Sequence, residues 1–236
     1  MRELTDLINV ADPAWPGLRA ELNRGPVHVF PGDAAQGQEC LHHLQVTAAS
    51  ALGALALHTG GLTVDNGWLH VFGGATVPGG PPNLTHVNQM RDPTWQREAG
   101  LVVGQDVLGG VFVLNGVNPA AYGRPGAPGQ MVYFAPDTLE WEALDLGHST
   151  WLSWLATGGT TTFYENLRWP GWEAETQALA PGQGIAVYPF LWSEEAHANL
   201  AATQRTPAPM AEILALNEDM CSQLGLPAPG FLGATA

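Results

Sequence analysis

The chain has 236 residues, with 22 Asp and Glu against 8 basic side chains and a formal net charge of -14; all 8 are Arg, and Lys is absent. That excludes chemistry built on a lysine amine: the Walker phosphate loop, the protein-kinase strand lysine, and pyridoxal-phosphate or other Schiff-base catalysis. The acidity argues against a nucleic-acid partner, whose binding draws on Lys and Arg displacing counterions, and fits either plain solubility or a basic protein partner.

The length allows a sizeable core, and the pattern predicts a single α+β domain over residues 1–226 with a flexible C-terminal tail at 227–236. Cys40 and Cys221 are far apart, without the spacing of a zinc knuckle or a disulfide framework, so both are expected as buried thiols in a reducing compartment. The polar start Met1-Arg2-Glu3-Leu4-Thr5-Asp6-Leu7 and the lack of a long apolar run predict a cytoplasmic protein with no membrane partner.

In chain order, Leu4, Leu7 and Ile8 predict a first short helix. Asp12-Pro13 predicts the cap of a second, with Trp15, Leu18 and Leu22 on its buried stripe. Val27 to Phe30 reads as a strand, and a third helix starts at Asp33. From about residue 51 the period changes to two. Asn66-Gly67 between alternating residues specifies a type I′ hairpin in which Asp65 pairs with Trp68, Val64 with Leu69, Thr63 with His70 and Leu62 with Val71. Leu62, Val64, Leu69 and Val71 should face the core, leaving Thr63, Asp65, Trp68 and His70 outward. Residues 73 to 99 read as a long irregular loop with few apolar anchors, to be functional or mobile.

Leu101 to Val103 and Val111 to Leu114 are short apolar strands around Gly109-Gly110. Met131 to Phe134 and Leu139 to Leu144 form a hairpin turned by Pro136-Asp137-Thr138, with Glu140 and Glu142 on one face. Ser149 is expected to cap a helix carrying Trp151, Leu152 and Leu155. Further helices follow near Phe163 and Pro170, then a strand at Ile185 to Tyr188. A last helix starts near Pro207. The sum is α+β: a mainly antiparallel sheet of hairpins flanked by N-terminal and C-terminal helices.

Little here carries chemistry. Gly182-Gln183-Gly184 precedes a strand, where a dinucleotide loop must follow one. His58, Asp65 and His70 have the residue types of a metal site, but His70 and Asp65 are two pairs apart on different strands, and exposed hairpin polarity is the better reading. No catalytic residue, metal or cofactor is therefore assigned. The acid is uneven: residues 125–236 hold 12 acidic residues and 2 Arg, whereas residues 1–124 hold 10 and 6. The acidic part also carries Trp141, Trp151, Trp154, Trp169 and Trp172. Glu140, Glu142 and Asp145 with Trp141 and Trp154 are the candidate contact face for a basic partner. An alternative is a pocket between the first hairpin and the 73–99 loop using Asp65, His70 and Arg91, in a small-molecule binder or an enzyme.

Two resemblances add to this. Asp65-Asn66-Gly67-Trp68-Leu69, Phe134-Ala135-Pro136-Asp137-Thr138-Leu139-Glu140-Trp141-Glu142 and Leu167-Arg168-Trp169-Pro170-Gly171-Trp172-Glu173 are similar to an uncharacterised bacterial family, a domain of unknown function, which brings no activity. Residues 100 to 157, through Gln105-Asp106-Val107-Leu108-Gly109-Gly110 and Ser149-Thr150-Trp151-Leu152-Ser153-Trp154-Leu155, distantly resemble the SUKH-type immunity superfamily. That resemblance implies a non-enzymatic fold whose acidic surface binds a toxin protein. The expectation is an acidic protein-binding module of the toxin-immunity kind.

Overall fold

The computed structural model describes residues 1–235. Helices α1 (Leu4–Ile8) and α2 (Trp15–Leu22) precede strand β1 (Val27–Pro31); α3 (Ala34–Leu44) and α4 (Ala51–His58) lead into β2 (Thr59–Val64) and β3 (Leu69–Phe72). After α5 (Leu84–Val87) come β4 (Leu101–Asp106), β5 (Val111–Leu114), β6 (Gln130–Ala135) and β7 (Glu140–Gly147). The rest is α6 (His148–Ala156), α7 (Thr160–Phe163), α8 (Trp172–Gln177), β8 (Gln183–Tyr188), α9 (Glu194–Ala198), β9 (Gln204–Pro209) and α10 (Met210–Gln223). Strands β1 to β7 form one antiparallel sheet in chain order, and β8 pairs with β9 in a second. The fold is α+β.

The Asn-Gly hairpin has the register its sequence specifies, Leu62 opposite Val71, Thr63 opposite His70 and Val64 opposite Leu69. The expected Asp65–Trp68 pair is not part of the ladder, because the turn begins one residue early: Asp65, Asn66 and Gly67 all take positive φ, at 48°, 56° and 90°. Leu62, Val64, Leu69 and Val71 are buried as expected, but Trp68 is not outward. It is fully buried, packed against Tyr164, Trp169 and Trp172.

Several boundaries differ from the sequence reading, each for a local reason. Residues 51–58 are helix, capped by the Ser50 hydroxyl on Gly53 N. This segment is apolar almost all round and buried, so it shows no helical stripe. Helix α2 starts at Trp15 with Pro16 in its first turn, not after Asp12-Pro13. Helix α6 is entered from Gly147, two residues before the expected Ser149 cap. What read as the start of the last helix, Pro207, lies in β9, the partner of β8. The 73–99 segment is anchored by buried Leu84, Val87 and Met90 and by Asn88, whose side chain accepts from Val102 N at 2.8 Å and donates to Val102 O at 2.8 Å. Cys40 and Cys221 are free and buried; burial pushes the Cys40 thiol up to about 11.

Cross-strand partners share a face, so the register writes out both sides of the sheet. One row runs Val29, Leu62, Val71, Gly104, Phe112, Tyr133, Glu142, and helix α6 packs on it through Trp151 against Phe112. The opposite row is His28, Thr63, His70, Gln105, Val111, Phe134, Trp141. Its far end is covered by the last residues: Trp141 Nε1 donates to Pro229 O at 3.0 Å and Gln105 Nε2 to Leu232 O at 3.0 Å. The sequence reading expects a flexible tail over 227–236; within it Pro229 and Leu232 touch the sheet through these two bonds, and residue 236 is outside the described residues. The near end of the row, His28, Thr63 and His70, stays open.

The β4–β5 turn closes on Asp106, which is 1% exposed. Its Oδ1 accepts from Leu108 N and Gly110 N, both at 2.9 Å; its Oδ2 accepts from the Tyr133 hydroxyl at 2.7 Å and the Tyr164 hydroxyl at 3.1 Å. Gly110 is required here, because a Cβ would meet Asp106 Oδ2 at 2.1 Å and Tyr133 Oη at 2.2 Å. Burial pushes the Asp106 carboxyl up and both tyrosine hydroxyls well up. Asp106→Ala strands four donors and should cost about 4 kcal/mol in urea unfolding. Asp106→Asn keeps an acceptor for both amides, lets the hydroxyls reorient, and should cost less than half as much.

At the start of α6, His148 is buried with neither ring nitrogen partnered, and burial pushes it down to about 4. The unfolded chain therefore binds the extra proton between about pH 6.5 and 4, and stability falls as pH falls through that window. His148→Phe should remove about 2 kcal/mol of the stability difference between about pH 7 and pH 5, read from paired urea melts.

Candidate functional site

The open end of the His28, Thr63, His70 row is the floor of a cleft of ≈ 1180 Å³. Residues Gly79 to Pro82 wall it on one side, and Thr161, Glu165, Arg168, Trp172 and Glu173 on the other. The floor exists because the hairpin register puts alternate side chains on one face. Phe30 meets His28 edge-to-face at 4.6 Å between ring centres. Burial pushes His70 down to about 4, so its imidazole is neutral near pH 7 and offers one donor and one acceptor.

Asp65 and Arg168 anchor the turn end of the cleft. Arg168 Nη2 donates to Asp65 Oδ2 at 2.6 Å, and the Thr160 hydroxyl donates to the same oxygen at 2.5 Å. Both charged side chains are about nine-tenths buried. The guanidinium lies over Trp172 at 4.2 Å, Trp68 at 5.0 Å and Tyr164 at 5.3 Å, while its Nε has no acceptor. Three aromatic faces and one carboxylate thus hold the cation that the cleft lining contributes. Glu165 and Glu173 remain at the rim, exposed and without an ion-pair partner among the described residues.

The sequence-predicted residues separate into three places. Asp65 and His70 do line one cleft, with the 79–82 segment as its wall. Arg91 does not join them: it is exposed in the adjoining groove and paired with Glu39 at 2.8 Å. His58 stacks on Trp15 at 5.2 Å instead of approaching His70. Glu140, Glu142 and Asp145 are exposed on β7, the outer strand at the other edge of the sheet. Burial first, then Asp137 and Glu140, push the Glu142 carboxyl up. The tryptophans expected beside them are engaged internally. Trp141 donates to Pro229 and lies under Arg124 at 5.1 Å, and Trp154 packs edge-on to Phe163 at 5.5 Å.

Arg168, Thr160, Glu165 and Glu173 were missed by sequence reasoning. The available signal was Arg168 itself, one of two Arg after residue 124 and set between apolar and aromatic neighbours in Leu167-Arg168-Trp169-Pro170-Gly171-Trp172. Among the described residues no cluster of three His, Cys, Asp or Glu could hold a metal ion, and no helix is long and apolar enough to cross a membrane.

Fold and cleft together define an α+β protein with an open cleft at one end of a seven-stranded antiparallel sheet. Residues 4–213 match the family described as a protein of unknown function, DUF2625, and the chain belongs to that family. It is 38% identical over 203 residues to the uncharacterized protein YbfG of Escherichia coli (strain K12), covering 83% of this chain and 89% of that one. It is also 26% identical over 196 residues to an uncharacterized protein of Haemophilus influenzae, covering 81% and 83%. No solved structure matches the chain.

The Asp65–Arg168 pair gives a stability test. Asp65→Asn or Arg168→Met alone leaves a mostly buried charge without its partner and should cost about 3 kcal/mol, whereas the double variant should cost clearly less than the sum. Additive costs in a double-mutant cycle of urea melts would show that the pair is not coupled.

Proposed function

We propose that this protein is a non-enzymatic binding module for a basic protein, of the toxin-immunity kind that the SUKH resemblance suggests, and that it takes a cationic side chain of that partner into the cleft. One observation carries the reading. Arg168, the cation of the cleft lining, is already taken by Asp65, so Glu165 and Glu173 leave the rim net negative. A chain of net charge -14 adds long-range attraction for a basic surface, which raises the association rate. The aromatic packing behind Arg168 keeps the rim carboxylates on a rigid wall.

A second reading is favoured by the floor: His28, Thr63 and neutral His70 would bind a small polar molecule by hydrogen bonding. The two readings respond to different substitutions. Under the first, a basic protein recovered from the native host binds purified wild-type protein in a salt-sensitive way, and affinity falls at least about tenfold from low to high salt. Glu165→Arg with Glu173→Arg should abolish that binding, and His70→Phe should leave it. Unchanged binding in the Glu165/Glu173 variant, with loss on reversing Glu140, Glu142 and Asp145, would move the contact face to β7. Loss in His70→Phe alone would favour the small-molecule reading.

A further inference from the structure

On the part of the sheet that the last residues cover lies a second cavity, of ≈ 580 Å³, between the 88–100 segment, residues 121–124 and residues 228–231. Trp95, Tyr122 and Phe231 supply aromatic walls. Arg124 also lines it and is 6% exposed. Its Nη1 donates to Ala99 O and its Nη2 to Phe231 O at 3.4 Å, and its Nε, also buried, has no acceptor. No carboxylate pairs with it among the described residues. Two carbonyl dipoles and the face of Trp141 at 5.1 Å are what the chain sets against its charge.

A buried guanidinium without an anion is costly, and an anionic ligand is a direct way to offset that cost. Burial pushes Arg124 down to about 10, so the group is still charged near neutral pH. One guanidinium matches one negative charge. Asp92 also lines the cavity, exposed to solvent, and opposes a dianion such as phosphate about twice as strongly as a monoanion. The cavity volume is within the usual range for small-molecule sites, and three aromatic side chains favour a flat apolar body. We propose that this cavity binds a small aromatic monocarboxylic acid, its carboxylate on Arg124 and its ring among Trp95, Tyr122 and Phe231. The site is distinct from the His28–His70 cleft and does not rest on the function proposed for it.

The test uses the full chain and defined probes: benzoate, phenylacetate and indole-3-acetate, each beside its neutral amide, followed by calorimetry and tryptophan fluorescence. At least one acid should bind about 30-fold more tightly than its amide, the size expected for a hydrogen bond to a charged partner. Arg124→Gln should erase that preference and leave amide binding unchanged. Because Arg124→Gln perturbs a buried position, Ala121→Trp serves as the second variant. Ala121 is exposed at the cavity edge, so this change should block acid and amide alike while the fold and Arg124 are retained. The proposal is overturned if the folded wild-type protein binds none of the three acids, binds acid and amide equally, or keeps its acid binding in Ala121→Trp.

Discussion

Asp106 ties two parts of the chain together at one buried point. Its carboxylate closes the β4–β5 turn through two backbone amides and, on its other oxygen, gathers the hydroxyls of Tyr133 from β6 and Tyr164 from the segment after α7. Those tyrosines are fully buried, so without that acceptor their hydroxyls would be desolvated for nothing. Tyr164 in turn packs on Trp68, and Trp68 on Trp169 and Trp172. A buried carboxylate thus fixes where the helical second half sits on the sheet. The wall of the cleft inherits that position.

The cleft depends on this placement because its polar groups come from distant parts of the chain. Asp65 is at a hairpin tip, whereas Thr160 opens the short helix α7 and Arg168 follows it, 95 and 103 positions away. An Asp on a tight turn would ordinarily be solvated. Here the Trp68 cluster brings Arg168 and Thr160 onto it, and the pair is screened enough for one oxygen to serve two donors. The same packing leaves Glu165 and Glu173 exposed in the lining of the cleft.

These distances explain what could be read in advance. The register of the Asn66-Gly67 hairpin is legible for three of its four expected pairs, all but Asp65–Trp68 at the turn, because turn chemistry and alternation are both local. The β6–β7 hairpin was legible for the same reason. Helix α4 was hidden because a helix buried on all sides carries no period, and β9, Gln204–Pro209, because two prolines and mostly exposed side chains give no strand signal. Half of the candidate cleft, Asp65 and His70 beside the 73–99 segment, followed from register. Its other half is set by side-chain packing at long separation, which no local pattern records. The contacts of Trp141 and Trp154 are equally unrecorded, since Pro229 and Arg124 reach the one and Phe163 the other from separate segments.

The use of arginine gives the composition a structural meaning. Arg124, Arg168 and Arg205 each lie over tryptophan: Trp141, then Trp68 and Trp172, then Trp169. A planar guanidinium can stack on an indole and still donate in its own plane, as Arg168 does to Asp65 and Arg205 to Glu175; an ammonium cannot do both from one position. Lysine would therefore be a poor substitute at these three sites whatever sets the residue usage elsewhere. Two of the three have a carboxylate in the plane. Arg124 has the tryptophan and the buried position but not the carboxylate, and that missing member distinguishes its cavity from the other two sites.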